Sequence, residues 1–155
     1  MKLDRIDCQL LSLLQEDASH SNANLAEMVS LSPNACWRRI RLMEEAGIIR
    51  KRVALLSEER VGLGVTVVVS IRTSNHTEEW LKKFGQGVRD MPEVVEFYRL
   101  SGETDYRLKG VVRDIQDYDR VYKKLIAIAP LNDVSSSFAM EQIKSSTALP
   151  LDNLR

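Results

Sequence analysis

Apolar residues recur at helical spacing three times in the first third of the chain. Ile6, Leu10, Leu13 and Leu14, with Leu11 beside them, mark one face of a first helix. Asp4 stands where a cap belongs, and the stripe predicts an end near Asp17. Ser19-His20-Ser21-Asn22 breaks the pattern. Ser21 or Asn22 then caps a short helix carrying Leu25, Ala26, Met28 and Val29. Ser30-Leu31 makes a tight turn, with Leu31 tucked beneath it. A third helix opens on Ser32 as cap, has Pro33 at its first position and is closed by Gly47. Within it Trp37, Ile40, Met43 and Glu44 share one face, and the three apolar ones are expected to pack on the preceding helices. Three helices with a short turn before the third read as a helix-turn-helix.

Beyond Gly47 the pattern loses its helical period. Residues 48–56 read as extended and basic, fit for a wing-like strand or a hinge. Ser57-Glu58-Glu59-Arg60-Val61 is a capped turn, and Gly62 and Gly64 break the backbone. Val65–Thr73 is then β-branched and strand-like. A helix follows from Thr77 through Val88 with Trp80, Leu81, Phe84 and Val88 on its apolar side, stopped by Met91-Pro92. Strands are predicted at Val94–Leu100 and Asp105–Val112, joined by Ser101-Gly102-Glu103-Thr104. Asp114 caps a helix to about Ala129, striped by Ile115, Tyr118, Val121, Tyr122, Leu125 and Ile128. A last strand spans Asp133–Ile143. This β-α-β-β-α-β order is the ferredoxin-like split unit, with two helices on one face of an antiparallel sheet.

The expected fold is therefore α+β, a winged helix-turn-helix followed by a ferredoxin-like domain. Residues 1–50 form the first part, 51–62 a linker strand or hinge, and 63–155 the second. Both faces of the first strand carry apolar residues, with Val65, Val67 and Val69 on one and Val68 between Thr66 and Ser70 on the other. Helices cover only one of them, so the other is expected to associate sheet to sheet with a second copy.

Charge sharpens the picture of the first part. The whole chain of 155 residues is formally neutral, but residues 1–32 carry −3, residues 33–52 carry +4 and residues 53–155 carry −1. The single positive block is the third helix and the segment just after it, the footprint of a nucleic-acid contact. Asn34, Ala35, Arg38 and Leu42 fall opposite the apolar anchors, flanked by Arg39 and Arg41, and Ser32 at the helix start is counted with them as DNA-facing. Arg forks match guanine edges and phosphates, and Asn pairs with adenine. Arg50, Lys51 and Arg52 are expected to lie along phosphates of double-stranded DNA.

Composition excludes other classes. At 44% hydrophobic and 28% charged the chain has an ordinary globular balance. No run of about 18 apolar residues spans a membrane, and Met1–Asp7 lacks the apolar stretch of a signal peptide, so a cytoplasmic protein with no membrane partner is expected. Cys8 and Cys36 are too few for a disulfide framework, and no Cys/His spacing suggests zinc. Cys8 reads as a small buried hydrophobe, and Cys36 lies next to the expected DNA-facing surface. No cofactor is expected. His20 reads as a solvated loop residue. The second half holds only His76, no Cys, and no nucleophile–base pair, which argues against an enzyme.

A free amino acid needs an acceptor for its ammonium, donors for its carboxylate and room for its side chain. The turn Ser101-Gly102-Glu103-Thr104-Asp105-Tyr106 offers these types. Gly102 permits close backbone approach, Asp105 can accept from the ammonium, and Ser101 or Thr104 can donate. Ser135, Ser136 and Ser137 on the last strand could complete the site. On residues alone the stretch reads first as a plain β-hairpin turn.

Leu3–Asp7, the run from Leu31 to Ile49, Leu55-Leu56, Gly62-Leu63-Gly64, Pro92-Glu93-Val94, Ser101–Tyr106 and Thr147–Pro150 together resemble the Lrp/AsnC family of feast/famine transcription regulators, in the family's order and over nearly the whole chain. The resemblance implies a DNA-binding domain, a linker strand, and a second domain that dimerises and binds an effector, often an amino acid. It also implies assembly of homodimers into tetramers or octamers, and turns the Ser101–Tyr106 hairpin into a ligand site with Ser135 and Ser137. Trp37, the His76–Trp80 stretch and the Ser136–Lys144 strand look like a branch that includes cysteine-responsive regulators, which points to a sulfur amino acid. The chain departs from the family pattern at Leu42, where Arg is common, and at Ser101, where Thr is frequent. The alternative is an architectural protein that coats DNA with little effector response.

Overall fold

The computed structural model describes residues 1–151. By compactness the chain forms two units. One holds residues 1–54 with the segment beginning at Lys144; the other runs from Leu55 to Ile143. By compactness the segment from Lys144, expected in the second domain, groups with the first unit. The reason is local: the Gln15 side chain donates to the Leu149 carbonyl and accepts from the Leu149 N–H, both at 2.9 Å. Residues 152–155 of the expected second domain lie outside the described residues.

The first unit contains helices α1 (Arg5–Glu16), α2 (Asn22–Met28) and α3 (Pro33–Glu45). Asp4 and Asp7 cap α1 reciprocally. The Asp7 N–H donates to the Asp4 carboxylate at 2.9 Å, and the Asp4 N–H donates to the Asp7 carboxylate at 3.0 Å. Ser21 caps α2 and Ser32 caps α3 through their hydroxyls. Ser30 adopts φ +56° in the turn between them, and Leu31 sends its N–H back to the Ala26 carbonyl at 2.8 Å. Leu31 packs half-buried against the core beneath this turn. Gly47, at φ +71°, closes α3 as its sequence position predicts.

Leu10, Leu25, Ala26, Val29, Cys36, Ile40 and Met43 form the core of this unit. Two expected packing residues are not in it. Met28 and Trp37 are about half exposed, at 54% and 53%. On α3 the buried stripe is Cys36, Ile40 and Met43, one position earlier at its start than Trp37 would place it. A stripe from 36 has the i, i+4, i+7 spacing that helical geometry favours. Cys36 is fully buried, not on the exposed surface, and burial pushes its thiol pKa up.

The second unit alternates strands and helices: β1 (Val65–Arg72), α4 (Glu78–Arg89), β2 (Val94–Arg99), β3 (Tyr106–Val112), α5 (Ile115–Ile128) and β4 (Asp133–Phe138). The antiparallel sheet has strand order β2-β3-β1-β4, the ferredoxin-like arrangement. Val67, Val69 and Ile71 of β1 and Tyr106 and Leu108 of β3 face Trp80, Phe84 and Val88 of α4 and Tyr118, Val121 and Leu125 of α5. Ile115, expected on the α5 stripe, is exposed.

β4 ends at Phe138 rather than Ile143. Its partner β1 runs out: Phe138 pairs with Val67, Ala139 donates once to the Thr66 carbonyl, and the strand has no further neighbour among the described residues. The opposite sheet face carries Thr66, Val68 and Ser70, all half-buried. Glu58, in the turn before β1, accepts from the Thr66 hydroxyl at 3.3 Å and lies 3.6 Å from the Lys109 ammonium. Residues 50–56, within the 48–56 segment expected as a wing-like strand or hinge, enter no helix or sheet among the described residues.

Candidate nucleic-acid interface

The start of α3 is fixed from two sides. The Ser32 hydroxyl accepts from the Ala35 N–H at 3.3 Å, and the Asn22 amide donates to the Pro33 carbonyl at 2.8 Å. With Cys36, Ile40 and Met43 inward, the opposite stripe is Asn34, Trp37, Arg38 and Arg41, at i, i+3, i+4 and i+7, all exposed. Ser32, Asn34, Ala35, Trp37 and Arg38 line one shallow depression of about 440 Å³. Four of the expected DNA-facing residues therefore converge on one surface.

The six basic residues of the block are not equivalent. Arg39 turns away from this surface. A single guanidinium nitrogen donates to the Asp4 and Asp7 carboxylates, each at 2.8 Å, tying α3 to the start of α1. This corrects the expectation that Arg39 faces DNA: the reciprocal cap of α1 gathers two carboxylates, and Arg39 is the cation that neutralises them. Arg41 donates to Glu45 at 2.8 Å, and its guanidinium carbon lies 5.3 Å from the centre of the Trp37 ring. Arg52 donates to Glu44 at 2.8 Å. Arg38, Arg50 and Lys51 are exposed and have no ion-pair partner among the described residues.

A second groove of about 520 Å³ lies on the other side of Trp37, lined by His20, Asn22, Leu25, Ile40, Arg41, Glu44, Glu45 and Arg52. The indole is thus a wall shared by both depressions. Trp37 is the surface residue that sequence reasoning missed, and the signal was present in the competing Cys36-Ile40-Met43 spacing.

In the second unit the expected ligand residues do not form one cluster. Ser101, Gly102 and Glu103 are exposed at the turn between β2 and β3, and Gly102 has φ +125°. Thr104 and Asp105 are half-buried. The Asp105 carboxylate accepts from the Thr73 N–H at 2.8 Å, and its own N–H donates to the Ile71 carbonyl at 3.1 Å. One carboxylate oxygen thus joins this turn to the end of β1, and the other has no hydrogen-bond partner among the described residues. Tyr106 does not line the turn. It is buried among Trp80, Phe84 and Phe97, with ring centres 5.7–5.8 Å away, because its register opposite Ile71 points it to the helix-covered face.

Ser135 and Ser137 pair with Ser70 and Val68 on the opposite face. Ser136 points to the helices, where its hydroxyl meets that of Tyr118. Burial is the first cause raising the Tyr118 phenol pKa, which this hydroxyl contact opposes. Ser135 sits two strands from Arg107 of β3, about 10 Å at ordinary strand spacing. The turn and these serines therefore do not meet directly within one chain. Among the described residues no group of three His, Cys, Asp or Glu side chains gathers as a metal site. No helix among them is long and apolar enough to cross a membrane.

A helix-turn-helix with an exposed Asn/Trp/Arg stripe, joined to a ferredoxin-like domain, defines a two-part DNA-binding regulator. Residues 3–50 match a family model described as winged helix-turn-helix DNA-binding, and residues 66–149 match the Lrp/AsnC ligand binding domain. The chain is 53% identical over 150 residues to the glutamate uptake regulatory protein of Zymomonas mobilis, covering 97% of this chain and 92% of that one. An AsnC family transcriptional regulator from Agrobacterium tumefaciens superposes with a TM-score of 0.94 at 56% identity, covering 97% of this chain and 99% of that one. A transcriptional regulator from Neisseria meningitidis, solved as a complex with L-methionine, superposes with a TM-score of 0.93 at 37% identity and covers 99% of both chains. The chain belongs to the Lrp/AsnC family and is a DNA-binding transcription regulator with a ligand-binding domain.

Proposed function

We propose that α3 reads DNA in the major groove through Asn34, Ala35 and Arg38, with Ser32 on a phosphate and Arg50, Lys51 and Arg52 along the backbone. The observation that carries this is Arg38: exposed, free of ion pairs among the described residues, and in one depression with Ser32, Asn34 and Ala35. Arg39 has no part in this reading, and Arg41 and Arg52 take part only by leaving Glu45 and Glu44.

The ligand of the second domain is a free amino acid, received at the Ser101–Asp105 turn, with a sulfur-containing side chain the first to test. The regulator from Neisseria meningitidis solved with L-methionine supports this choice. The unused oxygen of Asp105 is the acceptor for the ammonium. Ser135 and Ser137 face away from the helices, so they reach a ligand only where a second copy closes the open sheet face. The working form is thus a homodimer or a higher even assembly in the cytoplasm, presenting two recognition helices to a pseudo-palindromic site. It acts by binding alone, without chemistry.

The test combines two measurements on the full chain. Fluorescence anisotropy compares a duplex selected from a random pool with an unselected one, for the wild type and Arg38→Ala. A preference for the selected duplex that Arg38→Ala relaxes supports the reading; equal binding to both duplexes with a steep salt dependence favours a DNA-coating protein instead. A thermal-shift scan across free amino acids, with reductant, should give a selective rise, since a ligand bound only to the folded state raises its melting temperature. No rise with any amino acid refutes the ligand assignment.

A further inference from the structure

We propose that Trp37 is a base-reading residue whose indole contacts the C5-methyl group of thymine in the major groove. This rests on the reading of α3 as the recognition helix.

The first observation is exposure. Trp37 leaves 53% of its surface uncovered on a helix whose inward stripe is already filled by Cys36, Ile40 and Met43. Folding the first unit does not call for an aromatic there. The second is position. Trp37 sits inside the stripe Asn34, Trp37, Arg38, Arg41, one turn after Asn34 and directly before Arg38. It walls both depressions on this side of the unit, so nothing that approaches Arg38 and Asn34 avoids it.

The third is chemistry. Asn34 and Arg38 supply donors for the acceptor edges of purines. Between them the indole presents a flat apolar face, and the one apolar feature a base pair shows in the major groove is the thymine methyl. A partner protein of apolar surface would also cover an exposed indole. The basic company of Trp37 favours an anionic partner: Arg38 lies next to it unpaired, and the Arg41 guanidinium stacks on its ring at 5.3 Å. That contact keeps a cation beside the exposed indole.

The test uses the full chain, a duplex selected by the wild type from a random pool, and the same duplex with each thymine replaced in turn by deoxyuridine, which removes only the methyl group. The expected result is that at least one replacement weakens wild-type binding about 5- to 10-fold. Trp37→Ala should weaken binding to the thymine duplex by a similar factor and be indifferent to that replacement, while Trp37→Phe keeps most of the effect. Because Trp80 is buried at 4% exposure, a change of tryptophan emission on adding DNA reports Trp37 directly. Wild-type binding that is insensitive to every deoxyuridine overturns the proposal, as does Trp37→Ala with unchanged thymine dependence. So does a Trp37→Ala variant whose assembly mass changes, since the indole then serves contact between copies. If the wild type selects no sequence at all, the recognition-helix reading fails first, and this is visible before any variant is made.

Discussion

Arg39→Ala should damage folding, whereas Arg38→Ala should damage DNA binding, although the two residues are adjacent on one helix. Arg39 donates to Asp4 and Asp7 at 2.8 Å each. The Asp4 carboxylate is 51% exposed, so water replaces the lost cation there at little cost. The Asp7 carboxylate is only 4% exposed. After the substitution it keeps the Asp4 N–H and loses its counter-charge. Removing one partner of a fully buried ion pair costs about 3–5 kcal/mol. Arg39 itself is 31% exposed, so water reaches the vacated position, and the expected cost falls to about 2–3 kcal/mol. For a unit of this size that lowers the melting temperature by about 10–20 °C. Calorimetry of the full chain reads it as an early transition of the first unit. Adding Asp7→Asn, which keeps a side-chain acceptor for the cap and removes the stranded charge, should recover part of the loss. Arg39→Ala that melts within about 2 °C of the wild type and loses DNA affinity would refute the assignment. It would return Arg39 to the DNA-facing set, where its sequence position alone had put it.

Asp105→Asn keeps an acceptor for the Thr73 N–H and removes the charge. It should leave melting nearly unchanged and abolish the amino-acid-induced rise, whereas Asp105→Ala should also loosen the turn. In Gly87→Ala the added Cβ would stand 2.6 Å from Cγ2 of Ile128 on α5. The forced shift should cost about 1–3 kcal/mol in thermal unfolding, relieved by adding Ile128→Ala. The Asp117 carboxylate is held far below the usual carboxylate range, by Arg113 first and then Arg120. Its folded pKa is depressed, so its contribution to stability is present above the unfolded value near pH 4 and is lost as pH falls further. Asp117→Asn should flatten the acid limb of a stability–pH curve measured by urea unfolding.

What the residues made legible were features with a local cause. Asp4, Ser21, Ser32 and Asp114 cap helices because a short acceptor precedes an apolar stripe, and each is found there. The strand and helix order followed from the loss of helical period beyond Gly47, the β-branched run from Val65 and the stop at Met91-Pro92. What was not legible needed a partner distant in sequence. Helical spacing allowed an inward stripe from Trp37 or from Cys36, and only packing against α1 and α2 decides between them. The end of β4 is set by where β1 begins, about 70 residues earlier. Tyr106 falls in a turn motif but is turned inward by its register opposite Ile71. In the candidate ligand turn, the Asp105–Thr73 bond spans 32 positions, and no pattern near Asp105 announces it.

The same distinction governs how charge should be read in this chain. A count along residues 33–52 gives +4, but charge acts on DNA only from a surface the DNA can reach. Arg39 is spent on two carboxylates of α1 that the count assigns to another block, and Arg41 and Arg52 stand beside Glu45 and Glu44. Within residues 33–52, positive charge without an ion-pair partner is therefore left at Arg38, on the helix stripe, and at Arg50 and Lys51, in the segment after the helix. These two places suit different work. Arg38 is held on a capped helix beside Asn34 and Trp37, a rigid setting that fixes its reach toward base edges. Arg50 and Lys51 lie outside any helix or sheet, and their charges can follow a phosphate backbone without fixing a register. On the proposed reading of α3, the division between reading and holding DNA follows from which cations of residues 33–52 the fold leaves unpaired, not from how many the sequence contains.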